Sequence, residues 1–345
     1  MTASSDATSN PGVVFPMAGQ VEFQEQELTP PGPDEVLVRT RRSMISPGTE
    51  LTILSGQFPD NSAWATYGRF PFLVGYSAAV EVIEIGSEVR SVKVGDLVAA
   101  PTPHVRFATV AASSVYPVRD ERLALDHIPF VSLGQVVMNG VRRAHLGWGE
   151  TVVVFGAGIL GQLAVRFCRL VGARPVIAVD PSSNRLACLP KEEGIVTIEP
   201  TSTNLRDRVA DVTRGRMADV VFEVTGIPSL IPEEFQVMKA SDGRFVVLSS
   251  PSGPTWFDFH DLCNSPSHTI IGAHNRSHPV VETAANPWTL QRDAELLLDL
   301  VASKEVELEP LITHRLPYSA ACDAYRSLLK ERTHGLAIIL NWDET

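Results

Sequence analysis

Apolar and polar positions alternate in different ways along this chain. From Pro11 to about Phe130 the apolar runs are short and broken by Pro and Gly, as in Glu35-Val-Leu-Val-Arg39, Ala79-Val-Glu-Val-Ile-Glu-Ile85 and Asp96-Leu-Val-Ala-Ala100. A period of two with frequent breakers predicts antiparallel strands and turns. From Leu133 to about Ala273 the texture changes. Strand-like runs follow one another at Thr151–Phe155, Pro175–Val179, Ile195–Ile198, Asp219–Val224, Arg244–Leu248 and Thr269–Gly272. Several are apolar almost throughout, as parallel strands covered on both faces are. Leu163, Ala164, Phe167, Cys168 and Val171 form one helical stripe; Leu133, Val136, Val137, Gly140, Val141 and Ala144 form another. Pro232 is placed to open a helix through Met238. Past Pro287 the pattern predicts two amphipathic helices and a closing strand, Gly335–Leu340. Strand and helix in alternation predict an α/β fold with a doubly wound parallel sheet.

One turn in that sheet carries chemistry. Gly156-Ala-Gly-Ile159-Leu160-Gly161 is a G-x-G-x-x-G between an apolar strand and a striped helix, and Asp180 closes the next strand. Gly156 permits a tight turn, Gly158 lets backbone N–H groups reach a pyrophosphate, and Gly161 permits close helix–strand packing. Asp180 can accept from the adenosine ribose, and its charge disfavours a 2′-phosphate, so NAD is preferred with NADP not excluded. Ser182, Ser183 and Arg185 stand close enough to weaken that preference. Thr225, Ser249 and Ser250 follow later strands, at the carboxyl edge where the nicotinamide half should run. His274, after the sixth run, can touch the nicotinamide or a second subunit.

Composition narrows the partners. There are 29 Lys and Arg against 40 Asp and Glu, a net charge of −11. That excess argues against nucleic acid and anionic membrane surfaces, which need a positive field. No apolar run approaches the ~20 residues of a membrane helix. The start, Met1 to Asn10, has neither a basic end nor an apolar stretch and reads as a solvated tail. Cys168, Cys188, Cys263 and Cys322 lie far apart and read as buried thiols of a cytoplasmic protein.

From these residues the chain resembles the medium-chain dehydrogenase/reductase family over essentially its whole length after the tail. The echoes are Ile45-Ser-Pro-Gly-Thr-Glu-Leu51, Gly75-Tyr-Ser77, Ile83-Glu-Ile-Gly-Ser-Glu-Val89, Val94-Gly-Asp-Leu-Val98, Gly156–Gly161 and the closing Tyr318–Leu329 segment. The resemblance implies a GroES-like catalytic domain from residues 11–130 and 286–345, with a Rossmann domain, 131–285, inserted. It also implies a small-molecule substrate and a homodimer joined through Ser267–Ala273. Ser-Pro-Gly-Thr-Glu-Leu with Gly-Tyr-Ser resembles the branch that holds bacteriochlorophyllide dehydrogenase and dehydrogenases of natural-product and aminocyclitol pathways.

The departures from the family pattern matter as much. Zinc members carry Cys-Gly-x-Asp-x-His where this chain reads Pro47-Gly-Thr-Glu-Leu-Thr52, and Gly-His-Glu where it reads Gly75-Tyr-Ser77. The later ligand falls at Ser132, and the four-cysteine lobe is missing. Pro, Tyr and Ser are not competent zinc donors, so a zinc-independent member is expected. Proton transfer then passes to side chains. Candidates are Tyr76, Ser46 and Thr49 in the vacated metal place, Glu50 in the place of the acid behind it, Asn139 in the helix entering the Rossmann domain, and His104. A surface position for His104, a Tyr76 hydroxyl bonded to Glu50, and a structural Glu50 are the alternatives. The activity expected is hydride transfer between NAD(P) and a secondary alcohol or ketone of a polar, biosynthetic small molecule. The alternatives are an enoyl or quinone reductase, or a non-catalytic NAD-binding protein.

Overall fold

The computed structural model describes residues 9–200 and 204–343. Most of the expected tail, residues 1–8, lies outside them. Asn10 does not belong to a tail: it is buried, its side chain accepts from Phe107 N at 2.8 Å, and it donates to the Phe107 carbonyl at 3.2 Å.

The apolar runs of the middle region form one six-stranded sheet in which every pairing is parallel. Across it lie Ile195–Ile198, Val176–Val179, Val152–Phe155, Val220–Glu223, Arg244–Val247 and Thr269–Gly272. The order reverses between Val152–Phe155 and Val220–Glu223, which opens a crevice at their carboxyl ends. Both central strands are buried at every position. The helix Ile159–Leu170 covers one face with Leu163, Ala164, Phe167 and Cys168. The helix expected through Met238 is shorter: Ile231–Glu234 makes one turn, a tighter turn follows, and Met238 is already extended. Thr269–Gly272 is an edge strand and largely exposed.

A second, seven-stranded sheet is built from both ends of the chain. The long strand Glu35–Ile45 pairs antiparallel with Ala78–Ile85 and with the C-terminal strand Ala337–Asn341, placing Ser43 opposite Leu340 and Met44 opposite Ile339. The pattern did not reveal Ile312–Pro317, which pairs parallel with Ala337–Asn341. Its burial alternates poorly, because it is an edge. The C-terminal helix Ala321–Lys330 then packs Tyr325 and Leu328 against Phe15, Leu51 and Ile53.

The two halves meet at a cleft. The helix Val131–Arg143 runs from one to the other with Leu133, Val137 and Val141 in a shared core. At the far side, a Cβ on Gly253 would lie 3.8 Å from the Pro59 side chain. All four cysteines are free, with Cys188 and Cys263 only partly buried. Among the described residues no helix is long and apolar enough to cross a membrane.

Candidate active site

The glycine-rich turn has the shape a dinucleotide needs. Gly156 has φ +95°, a left-handed conformation that a side chain would strain. A Cβ on Gly161 would sit 1.8 Å from the Gly156 carbonyl, so helix and turn approach only because that atom is missing. Around Gly158 a Cβ would meet nothing within 4 Å, so the space in front of the helix is open. No side chain caps Ile159–Leu170, and its first intrahelical bond is Gln162 N to Gly158 O. The N–H groups of Ile159, Leu160 and Gly161 are therefore left for an anion at the positive end of the helix.

Asp180 is almost buried and braces this turn. Its Oδ2 accepts from Ala157 N at 2.7 Å and its Oδ1 from Ser182 N at 2.8 Å, each oxygen keeping a second lone pair. Arg185 lies beside it, Nη1 to Oδ2 3.9 Å, and donates to the Arg332 carbonyl at 2.8 Å. Further along the crevice, Glu223 is fully buried. It accepts from Thr225 N and Oγ1, both at 2.7 Å, from Gly226 N at 2.8 Å and from Ser249 Oγ. Sequence reasoning chose Thr225 and Ser249 but missed the acid that holds both; an acid closing an apolar strand was the available signal. Ser250 is exposed at the next position. His274 lines a cavity of about 470 Å³ with Val247, Ser249, Gly272 and Arg276. Asn139, a candidate to touch substrate, instead supports this wall: it donates to the His274 carbonyl at 3.1 Å and to Ser277 Oγ at 2.8 Å.

The other side of the cleft is a hydroxyl cluster over a buried acid. Ser46 precedes the helix Pro47–Ser55, whose proline takes a first-turn place that needs no N–H. Glu50, one turn on, is buried; its Oε2 accepts from Ser46 N at 3.1 Å and from Tyr325 OH at 2.7 Å. The phenol partner of Glu50 is thus Tyr325, not Tyr76 as one sequence alternative had it. Burial above all, and then the Glu50 charge, push the Tyr76 phenol well up; the neighbouring Ser46 and Thr49 hydroxyls offset part of the rise. Tyr76 therefore stays a phenol and a donor. Tyr67, unforeseen, joins the cluster: burial and Glu50 raise it as well, though half the residue is exposed.

His104 is neither on the surface nor open to the cleft. The residue is fully buried, with Nδ1 2.8 Å from Ser43 Oγ and Nε2 3.7 Å from Glu50 Oε1. Gly75 packs directly on it, since a Cβ there would lie 2.6 Å from His104 N and 2.9 Å from the ring. Direct proton transfer from this ring to a substrate is corrected by that enclosure. The partner of its Nδ1 is Ser43, and the group its Nε2 faces is Glu50.

The fold agrees with that of known proteins. Residues 32–121 match the alcohol dehydrogenase GroES-like domain, and residues 160–289 match the zinc-binding dehydrogenase model. Together these cover well over half of the chain. The chain belongs to the medium-chain dehydrogenase/reductase family. L-threonine 3-dehydrogenase of Pyrococcus furiosus is 28% identical over 323 residues, spanning 85% of this chain and 87% of that relative. D-guloside 3-dehydrogenase of Escherichia coli K12 is 26% identical over 331 residues, 90% of this chain and 92% of the other. The solved structure of galactitol-1-phosphate dehydrogenase from Escherichia coli shares the fold, with a TM-score of 0.80 at 17% identity, over 96% of this chain and 99% of that one. As a medium-chain family member the protein is an alcohol-dehydrogenase-type oxidoreductase.

The zinc in the second model's name does not fit the residues of this medium-chain enzyme. Pro47 offers no donor, and Ser132 Oγ donates to the Tyr76 carbonyl at 2.9 Å. Glu50 Oε2 already has two partners. Zinc takes thiolate, imidazole or carboxylate, and no three His, Cys, Asp or Glu side chains converge among the described residues.

Proposed function

We propose that this enzyme transfers hydride between NAD(P), with NAD preferred, and a secondary alcohol or ketone of a polyol-like or similarly polar small molecule, without zinc. The observation that carries the reading is the partly buried Tyr76 phenol, with Ser46 and Thr49 beside it and the charge of the buried Glu50 acting on it. Hydride transfer to a ketone leaves charge on the substrate oxygen, and a fixed O–H donor in a dry site stabilises it. When bound, the nicotinamide supplies or accepts the hydride. Tyr76 orients the oxygen and gives or takes its proton. In the oxidative direction Tyr76 takes that proton and releases its own by way of the neighbouring Ser46 and Thr49 hydroxyls to solvent, with the Glu50 charge favouring the protonated phenol, so charge and protons balance. Several hydroxyls on the cleft floor also suit a substrate with neighbouring hydroxyls, as the names of the relatives suggest.

The NAD preference rests on Asp180, whose carboxylate repels a 2′-phosphate; Arg185 moderates it. The exposed edge Thr269–Gly272 suits pairing with a second copy of the chain. Two measurements test the core of the reading. Oxidation of polyols, sugars or amino alcohols with NAD, in protein shown by elemental analysis to hold no stoichiometric zinc, is the expected result. Turnover confined to enones or quinones, or one zinc per active chain, overturns it.

A further inference from the structure

Behind the hydroxyl cluster lies a line of buried polar groups that hydride transfer as described does not use. Trp342 Nε1 donates to Ser43 Oγ at 2.8 Å, and Ser43 Oγ is 2.8 Å from His104 Nδ1. All three residues are buried. At the end of the line His104 Nε2 and Glu50 Oε1 face each other across 3.7 Å, and neither has a hydrogen-bond partner. A gap of that length is too short for a bridging water and too long for a direct bond, so it closes only by a small rotation. Leaving two such groups unpaired in a dry interior is costly.

The tautomer follows from donor arithmetic. The indole N–H can only donate, so Ser43 accepts from Trp342 and keeps one hydroxyl hydrogen to give. Nδ1 of His104 is the side-chain acceptor it faces. Placing the ring proton on Nδ1 instead would strand that hydroxyl hydrogen and set an Nε2 lone pair against the Glu50 carboxylate. Placing it on Nε2 satisfies both ends.

We propose that His104 is a positioning residue: fixed by Ser43 and Trp342 with its proton on Nε2, it donates to Glu50 and holds that carboxylate under Thr49 and Tyr76. Two of the anchors come from the far C-terminus, Trp342 through Ser43 and Tyr325 directly to Glu50. The carboxylate is then gripped by Ser46 N and Tyr325 on one oxygen and by His104 on the other. The consequence for rate rests on the hydride-transfer reading; the tautomer does not.

Long-range ¹H–¹⁵N spectra of ¹⁵N-histidine-labelled protein, with His104→Leu to assign the ring, read the tautomer without any substrate. The expected result is a proton on Nε2 in the parent and loss of that preference in Ser43→Ala. A ring protonated on Nδ1 overturns the proposal. In turnover, His104→Leu should lower kcat roughly 10–100-fold, the effect of misplacing a catalytic group by an ångström or so. KM for NAD should stay the same, and His104→Gln, whose amide can bridge Ser43 and Glu50, should recover most of the rate. A parental kcat in His104→Leu overturns the positioning role, as does a folded His104→Gln that recovers nothing. If no substrate turns over, the hydride-transfer reading fails, and the spectra still decide the tautomer.

Discussion

The Tyr325 phenol donates to the Glu50 carboxylate across 2.7 Å, although the two residues stand 275 positions apart. Burial and the Glu50 charge push the Tyr325 phenol far up, so it remains a donor throughout the working range. The bond ties the C-terminal helix to the first helix of the cleft. Without it Glu50 Oε2 would keep only Ser46 N.

Tyr325→Phe is therefore expected to lower stability by about 1–3 kcal/mol, the value of a buried bond to a charged group. Urea denaturation reads this. A fall in kcat with unchanged NAD affinity should accompany it, because Glu50 loses one of its grips.

Tyr76→Phe removes the donor placed for the substrate oxygen. Loss of one such donor costs roughly 10²–10³ in kcat. Fluorescence titration should find NAD affinity unaltered, since the dinucleotide turn lies across the cleft. A Tyr76→Phe enzyme as fast as the parent would pass the donor role to Thr49.

Asp180→Ala should shift the cofactor preference toward NADP. The carboxylate that repels a 2′-phosphate disappears, and Arg185, now without its neighbour 3.9 Å away, is free to meet the phosphate. Ala157 N and Ser182 N lose their acceptor as well, so affinity for both cofactors should drop. The ratio of kcat/KM for NAD and NADP separates the two effects.

Glu234 predicts a pH dependence of stability. It is 1% exposed and neither oxygen has a partner. Burial first, then the charges of Glu223 and Glu233, push its carboxyl up to about 9. A carboxyl raised on folding contributes fully below its unfolded value, near 4.5, and the contribution is lost as pH rises toward 9. Glu234→Met removes the buried acid at similar volume. It should be more stable than the parent by about 1–3 kcal/mol at pH 8, with the difference shrinking toward pH 5. Thermal denaturation at the two pH values checks the sign.

Much of this enzyme is determined over short stretches of chain. The period of the apolar positions places Val152–Phe155, Ile195–Ile198 and Thr269–Gly272 within a residue of where they lie. For Val152–Phe155 it does so because a strand buried on both faces has no other composition open to it; the two edge strands are short apolar runs bounded by turn residues. The dinucleotide turn is equally local: Gly156 and Gly161 answer to a φ of +95° and to a 1.8 Å approach within six residues of one another.

What the tertiary structure decided is the company each polar side chain keeps. Glu50, Tyr76 and Thr49 are recognisable in one short region, but neither Tyr325 nor Trp342 announces a role there. Trp342 meets Ser43 because Ala337–Asn341 pairs with Glu35–Ile45, and Tyr325 meets Glu50 because its helix packs on Leu51 and Ile53. Family resemblance places Asn139 and His104 at the cleft; in the structure Asn139 bonds the His274 loop, and the buried His104 bonds Ser43 and faces Glu50. Periodicity reports which face of an element is buried. The partner of a buried polar atom is set by register and packing between segments hundreds of residues apart, and no local pattern carries that information.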